Sequence, residues 1–314
     1  MKILITESEH FSSRAIEILK SLGTVVISDI KDRAELIAAL KPVDAAFIRL
    51  GFKIDKELLE QASQLKYILT ATTGLDHIDG AYFKSRGGQI ISLQGETEFL
   101  TSIPSTAEHT WALLLALIRH IPNAIDDVKK GYWRRDAFKG NNLSGKKLGI
   151  LGMGRVGAQV SKYGQVFGMQ IGFYDKKKIN PEIGERFETA EALFQWADVI
   201  SIHIPAELNE GFINAQLLSN LHSESLLLNT SRGSVIEEAA LATLIKERKI
   251  KGCALDVLTD ELEGKSIENK MVVLMNQGYN VLITPHIAGA TYESMQMTED
   301  YVSHKFRTVL IEDK

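Results

Sequence analysis

Three ionisable residues stand just behind late apolar runs of the chain: Arg232, Glu261 and His286. Arg232 lies in Asn229-Thr230-Ser231-Arg232-Gly233, and its guanidinium is a planar fork suited to two-point recognition of a carboxylate. His286 lies in Thr284-Pro285-His286-Ile287-Ala288-Gly289, and an imidazole can exchange a proton with a carbonyl or hydroxyl oxygen. Glu261 would hold that ring in place. Alone, each has an ordinary reading: a surface ion pair, a solvated carboxylate, a satisfied structural histidine. Together they describe chemistry on a small acid, gripped by its carboxylate while a proton moves at a neighbouring oxygen.

A second group has the spacing of a phosphate cradle. Gly152-Met153-Gly154-Arg155-Val156-Gly157 follows an apolar strand-like run and opens a helix-like segment. In that setting the first glycine permits a tight turn, the second lets backbone approach a pyrophosphate, and the third lets helix and strand pack closely. The free N–H groups of the helix start would face the phosphate charge. Asp175 ends the next apolar run, 23 residues after Gly152. A carboxylate there accepts hydrogen bonds from adenine-ribose hydroxyls and repels a 2′-phosphate, which favours NAD over NADP.

These groups need elements to carry them. From the start, short apolar runs alternate with helical segments: strands at Lys2 to Ile5, Thr24 to Ile27, Ala45 to Ile48 and Lys66 to Thr70, and helices at Arg14 to Leu22, Arg33 to Leu40 and Lys56 to Gln64. Ser12 or Ser13 is the expected cap of the first helix, with Gly23 beyond its end. Such alternation implies βαβ units and parallel sheet. Between Thr101 and Lys130 the pattern changes. Ser105 is the expected cap of a long helix whose run Trp111 to Ile118 is apolar on nearly every side, as in a helix buried between domains or subunits. A second series follows Ser144-Gly145, with strands at Lys147 to Leu151, Gln170 to Tyr174, Val199 to His203, Leu226 to Asn229, Gly252 to Val257 and Val281 to Thr284. A last helix runs from about Tyr292 to Leu310. The chain ends soon after it, so no appended regulatory domain is expected.

The fold class expected is α/β, with two doubly wound parallel sheets. A Rossmann nucleotide domain, residues 98–289, is inserted into a flavodoxin-like substrate domain made of residues 1–97 and 290–314. Two domains suit 314 residues. A formal net charge of -4 argues against a general nucleic-acid binder. Met1 to Ile5 is too quickly polar for a secretory signal, and no run is long enough to span a bilayer. The single cysteine, Cys253, reads as a small buried hydrophobe in a reducing compartment, hence a cytoplasmic protein. No metal, membrane or nucleic-acid partner is expected.

From Gly152 to Gly289 the chain resembles the D-isomer-specific 2-hydroxyacid dehydrogenase family. The likeness rests on Gly152–Gly157, His203-Ile204-Pro205, Asn229–Gly233, Asp256-Val257 followed by Glu261, and Thr284–Gly289. Upstream, Thr73-Gly74-Leu75-Asp76-His77-Ile78-Asp79 resembles the family's glycine-rich substrate loop, and Pro104 to His109 the start of its interdomain helix. The resemblance implies that Arg232 binds the substrate carboxylate and that His286, paired with Glu261, is the acid/base. It places the backbone of Arg155 and Val156 at the pyrophosphate. His203, Pro205, Thr230, Ser231, Arg232, His286 and Gly289 join the cofactor-binding set, with Asp256 on the nicotinamide carboxamide. Thr73 and the N–H groups of Gly74 and Leu75 meet the substrate. Leu262 stands where the family usually has proline, and the stretch after Pro205 lacks its usual threonines.

The expected activity is hydride transfer between NAD(H) and a small 2-hydroxy or 2-oxo acid, in a cleft between the domains whose closure would exclude water. Two alternatives stay open: an imino-acid reductase on the same scaffold, and an NAD-sensing corepressor-like protein. Arg49, just after an apolar strand, would meet a substrate phosphate or a distal acid group, or else form an ion pair. The apolar Trp111 to Ile118 run and the resemblance together imply a homodimer.

Overall fold

The computed structural model describes residues 1–179, 182–261 and 268–312. The chain divides into two compact units, Met1–Ser102 with Ala290–Lys314, and Ile103–Gly289.

In the first unit five parallel strands, β1 (Lys2–Ile5), β2 (Thr24–Ile27), β3 (Ala45–Ile48), β4 (Tyr67–Thr70) and β5 (Gln89–Ile91), lie in the order β2-β1-β3-β4-β5. Strand β3 is buried along its whole length, which is why it reads as an unbroken apolar run. The helix Ser13–Lys20 turns Ala15, Ile18 and Leu19 inward, and Ser12 caps it by accepting from the Ala15 amide at 3.2 Å. The Tyr292–Glu312 helix packs against it. The chain leaves β1 toward β2 on one side and returns to β3 on the other. The strand order therefore reverses between the carboxyl ends of β1 and β3, the usual place for a ligand in an open α/β sheet.

The second unit is a seven-stranded parallel sheet: β6 (Lys147–Leu151), β7 (Gln170–Tyr174), β8 (Glu185–Arg186), β9 (Val199–Ile202), β10 (Leu226–Asn229), β11 (Gly252–Leu255) and β12 (Val281–Ile283), ordered β12-β11-β10-β9-β6-β7-β8. Here the reversal falls between β6 and β9. Cys253 sits in the core of this unit, where burial pushes its thiol up. Among the described residues, no helix is long and apolar enough to cross a membrane.

The long helix expected to carry Trp111 to Ile118 is present, and two readings of it need correction. Helix Ser105–Ile118 ends at Arg119, His120 takes φ 52°, and a separate helix runs Ile121–Lys129 with Pro122 in its first turn, where the missing N–H costs nothing. Ser105 is not the cap: Pro104 holds that position, and the Ser105 hydroxyl is buried without a hydrogen-bond partner among the described residues. The apolar run itself is mostly consumed within its own unit, where Trp111, Leu113, Leu114, Leu117 and Ile118 join the core beside Leu148, Ile150 and Val160. The sequence pattern also passed over β5 and β8, which are short and partly polar edge strands.

Candidate functional site

The glycine segment starts where β6 ends. Gly152 has φ 93°, and a Cβ there would stand 2.8 Å from the His203 carbonyl oxygen, so only glycine lets the β6 turn close against the end of β9. A Cβ on Gly157 would fall 2.2 Å from the Gly152 carbonyl oxygen, which keeps the helix Arg155–Val166 tight against the turn. Gly154 differs: a Cβ there would meet nothing within 4 Å. It caps the helix with no side-chain bond, leaving the first-turn N–H groups beside open space. That is the cradle a pyrophosphate requires.

Asp175 closes the neighbouring strand. Its Oδ2 accepts from the Met153 amide at 3.0 Å and its Oδ1 from the Lys177 amide at 2.8 Å, so the carboxylate is tied to the glycine turn. Arg155 is half-buried and its guanidinium donates to the Ile103 carbonyl at 3.3 Å. His203 bonds through Nε2 to the Ser201 hydroxyl at 2.8 Å. Partly open at the surface but crowded by protein, its imidazole is pushed down to about 3 by loss of hydration. The Pro205 carbonyl accepts from Asn209 Nδ2 at 2.9 Å. Val156 is partly buried in the first turn, and a Cβ on Gly289 would meet open space.

The polar residues at the ends of β10, β11 and β12 form a connected set. Asn229, fully buried, donates to the Arg232 carbonyl at 2.8 Å and accepts from the Ser231 amide and hydroxyl at 3.0 and 2.8 Å. It braces the loop that holds Arg232, whose Nη1 donates to the Ser231 carbonyl. The next residue, Gly233, approaches the Leu258–Thr259 backbone so closely that a Cβ would lie 2.2 Å from the Leu258 carbonyl carbon. The Arg232 loop is thereby seated on the loop leading to Glu261, whose Oε2 accepts from the Leu258 amide at 3.1 Å. Glu261 Oε1 stands 2.6 Å from His286 Nδ1. Bonding at Nδ1 leaves Nε2 as the ring atom for proton exchange. Leu262, noted for the proline it replaces, lies outside the described residues.

His286 has φ 55°, an unusual backbone for a side chain of this size. Asp256 is what surrounds it. The Asp256 carbonyl accepts from the His286 amide at 2.8 Å, while its carboxylate accepts from the Ile287 and Ala288 amides at 2.9 and 2.8 Å and from the Thr284 hydroxyl at 2.6 Å. His109 Nε2 lies 3.3 Å from the same carboxylate and 3.0 Å from the Thr284 hydroxyl. Burial pushes the Asp256 carboxyl up, but His109, Thr284 and the two amides outweigh it, and the group ends below the usual carboxylate range. Its side chain is 0% exposed, so it holds the turn from inside. The resemblance implied a contact to the carboxamide and said nothing of this clamp.

Sequence reasoning passed over His109 and Asn229 as individual residues, together with the hydrogen bond between the Thr110 and Thr230 hydroxyls at 2.8 Å. Asn229 carried a weak signal, a buried amide ending an apolar strand, which must find partners. His109 carried none, because its partner is 175 positions away.

The first unit holds the remaining residues. Thr72 donates to the Gly74 carbonyl at 2.9 Å, shaping a loop in which Thr73 is exposed and Gly74 and Leu75 are partly open. Arg49 follows β3, at the reversal point of this sheet. Its Nε and Nη2 donate to Glu299 Oε1 at 3.2 and 2.7 Å, and its Nη1 to the Glu9 carbonyl at 3.0 Å. Of its two expected roles, the ion pair is the one the structure displays. Burial pushes the Glu299 carboxyl up against the opposing pull of the Ser12 amide and Arg49.

The family model described as "D-isomer specific 2-hydroxyacid dehydrogenase, NAD binding domain" matches residues 111–288. The chain is 33% identical to a D-3-phosphoglycerate dehydrogenase of Methanocaldococcus jannaschii over 99% of its own length, but spans only 57% of that relative. It is 33% identical to a hydroxypyruvate reductase of Thermotoga maritima, covering 86% of each chain. Among solved structures it is similar to an acyclic imino acid reductase in complex with NADPH and D-Arg, with 28% identity, a TM-score of 0.81 and coverage of 99% of this chain and 98% of the other.

Proposed function

The chain belongs to the D-isomer specific 2-hydroxyacid dehydrogenase family, and on that premise we propose that it reduces a small 2-oxo acid, or oxidises the matching D-2-hydroxy acid, with NAD(H). The observation that carries this reading is the 2.6 Å bond between Glu261 and His286, on a loop against which Gly233 seats the Arg232 loop. The nicotinamide, when bound, gives or takes the hydride. Arg232 grips the substrate carboxylate and so orients the adjacent carbonyl. His286 Nε2 delivers a proton to the carbonyl oxygen in reduction and removes it from the hydroxyl in oxidation. Glu261, bonded at Nδ1, keeps the ring turned for that exchange. Asp256 and Asn229 position the two loops.

For the cofactor, the backbone at Gly154, Arg155, Val156 and Gly157 offers donors to the pyrophosphate. Asp175 takes the ribose hydroxyls and disfavours a 2′-phosphate. The roles of His203, Pro205, Thr230, Ser231 and Gly289 toward the cofactor, and of Thr73, Gly74 and Leu75 toward the substrate, follow the family likeness. Arg49, at the reversal point of its own sheet, is the candidate contact for a substrate phosphate or distal acid group.

The proposal includes a cytoplasmic homodimer. Helix Ile121–Lys129 exposes Ile121, Ile125 and Val128 on one stripe, continued by Tyr132 and by Trp133, which is 86% exposed. Nearby in the same unit, Trp111, Leu115, Tyr163, Val166 and Phe167 line an apolar cavity of about 400 Å³. A second copy is the partner that the family likeness offers for so much open apolar surface.

Loss of NADH absorbance across a panel of 2-oxo acids tests the reading. Turnover with an oxo acid alone supports it and removes the sensor alternative. Turnover only when an amine is added would favour the imino-acid reductase, which the structural likeness to an enzyme of that kind keeps in view.

A further inference from the structure

Helix Ser105–Ile118 packs across β10, β11 and β12, the three strands that lead to the Arg232 loop, Asp256 and the His286 turn. Two consecutive residues of this helix reach those loops. His109 Nε2 stands 3.0 Å from the Thr284 hydroxyl and 3.3 Å from the Asp256 carboxylate. The Thr284 hydroxyl gives its proton to Asp256 at 2.6 Å, so its oxygen is left to accept, and His109 is the donor through Nε2–H. Asp256 in turn accepts from the Ile287 and Ala288 amides, the two that follow His286. On the other side, Thr110 donates to the Thr106 carbonyl at 2.7 Å and lies 2.8 Å from the Thr230 hydroxyl. A hydroxyl has one proton, so Thr230 is the donor in the second bond and Thr110 its acceptor. Thr110, Thr230 and Asp256 are all buried, and a partner lost there is not replaced cheaply by water.

We infer that His109 and Thr110 are positioning residues that fix the span between Arg232 and His286, His109 on the side of the proton and Thr110 on the side of the carboxylate. This rests on the proposed function. A 2-oxo acid is gripped at its carboxylate and protonated at the neighbouring carbonyl oxygen, so the two groups must stand at one separation, and a misplacement of about 1 Å costs roughly 100-fold in rate. Strand β11 lies between β10 and β12, so the two loops do not follow adjacent strands. Asn229 and Asp256 each shape one loop; the helix is a support common to both.

The test is steady-state kinetics on the best oxo acid found, at saturating NADH, with the fold of each variant checked by its melting curve. The amide of His109→Asn stops near the place of Nδ1 and falls short of Thr284, whereas His109→Gln carries an N–H close to the place of Nε2. His109→Asn should lower kcat by about tenfold and leave KM for the oxo acid within about twofold, and His109→Gln should recover most of the loss. Thr110→Val keeps the shape but removes the acceptor of Thr230. It should raise that KM by about fivefold, equal to about 1 kcal/mol, with kcat little changed, and Thr110→Ser should restore it. Alanine at either position carries the same expectation where the first variant does not fold. A merely structural role would lower the melting temperature and move kcat and KM alike in both variants, and that result overturns the inference. So do native kinetics in folded His109→Asn and Thr110→Val. Either result leaves the dehydrogenase reading intact, whereas a native enzyme that turns over no oxo acid overturns both.

Discussion

Asp256 holds the backbone from which His286 projects. Its carbonyl takes the His286 amide at 2.8 Å and its carboxylate takes the next two amides, so that a histidine with φ 55° sits in a turn bound on both sides. An unfavourable backbone conformation persists only where surrounding bonds over-determine it. Asp256→Ala would leave two amides, the Thr284 hydroxyl and His109 without their acceptor in a buried place. A stability loss of about 2–4 kcal/mol is expected from urea melts. Asp256→Asn should cost less stability but still lower kcat, because one of its two side-chain acceptor positions becomes a donor. Native kcat in the Asn variant would remove Asp256 from the positioning of His286.

Asp175 should decide the choice of cofactor. The native enzyme should show higher kcat/KM with NADH than with NADPH, and Asp175→Ala should narrow the gap. The variant also loses the acceptor of the Met153 amide, so both cofactors should bind more weakly. A native preference for NADPH would contradict this role.

His203 gives the second unit a defined response to acid. In the unfolded chain this imidazole takes a proton near pH 6.5, whereas in the folded protein it does so only near about 3. Between those values the unfolded state binds more protons, so stability falls as pH falls. The slope contributed is at most about 1.4 kcal/mol per pH unit, and His203→Asn should remove it. Urea melts at pH 7.5, 6 and 5 measure the difference. Parallel slopes for native and variant would show that the imidazole ionises without penalty.

Assembly is tested by sedimentation. The exposed stripe Ile121, Ile125 and Val128, with Trp133 beyond it, predicts a dimer at micromolar concentration, and Ile125→Glu should shift it toward monomer. A native protein that sediments only as monomer would contradict the proposal.

Much of this architecture is written locally. Fully buried parallel strands such as Ala45–Ile48 and Leu226–Asn229 are apolar almost throughout, and their ends are marked by the turn residues that follow. The glycines at 152, 154 and 157 likewise sit in one short stretch, so their sequence context already describes a strand-to-helix turn. What stayed hidden depends on distance along the chain. Glu299 reaches Arg49 across 250 positions, and His109 reaches Thr284 across 175; neither residue type is unusual where it stands. Helix ends were less legible than strand ends. At His120, the break follows from one left-handed residue and the proline two positions on.

The most direct measurement is the single-turnover and steady-state rate of His286→Ala on the best oxo acid found, with NADH binding followed separately by fluorescence. A positioned acid/base contributes about 10²–10⁴-fold. The variant should therefore bind NADH normally and lose kcat by a factor in that range, with Glu261→Gln losing less. Near-native turnover in His286→Ala would contradict the assignment of the proton to this residue.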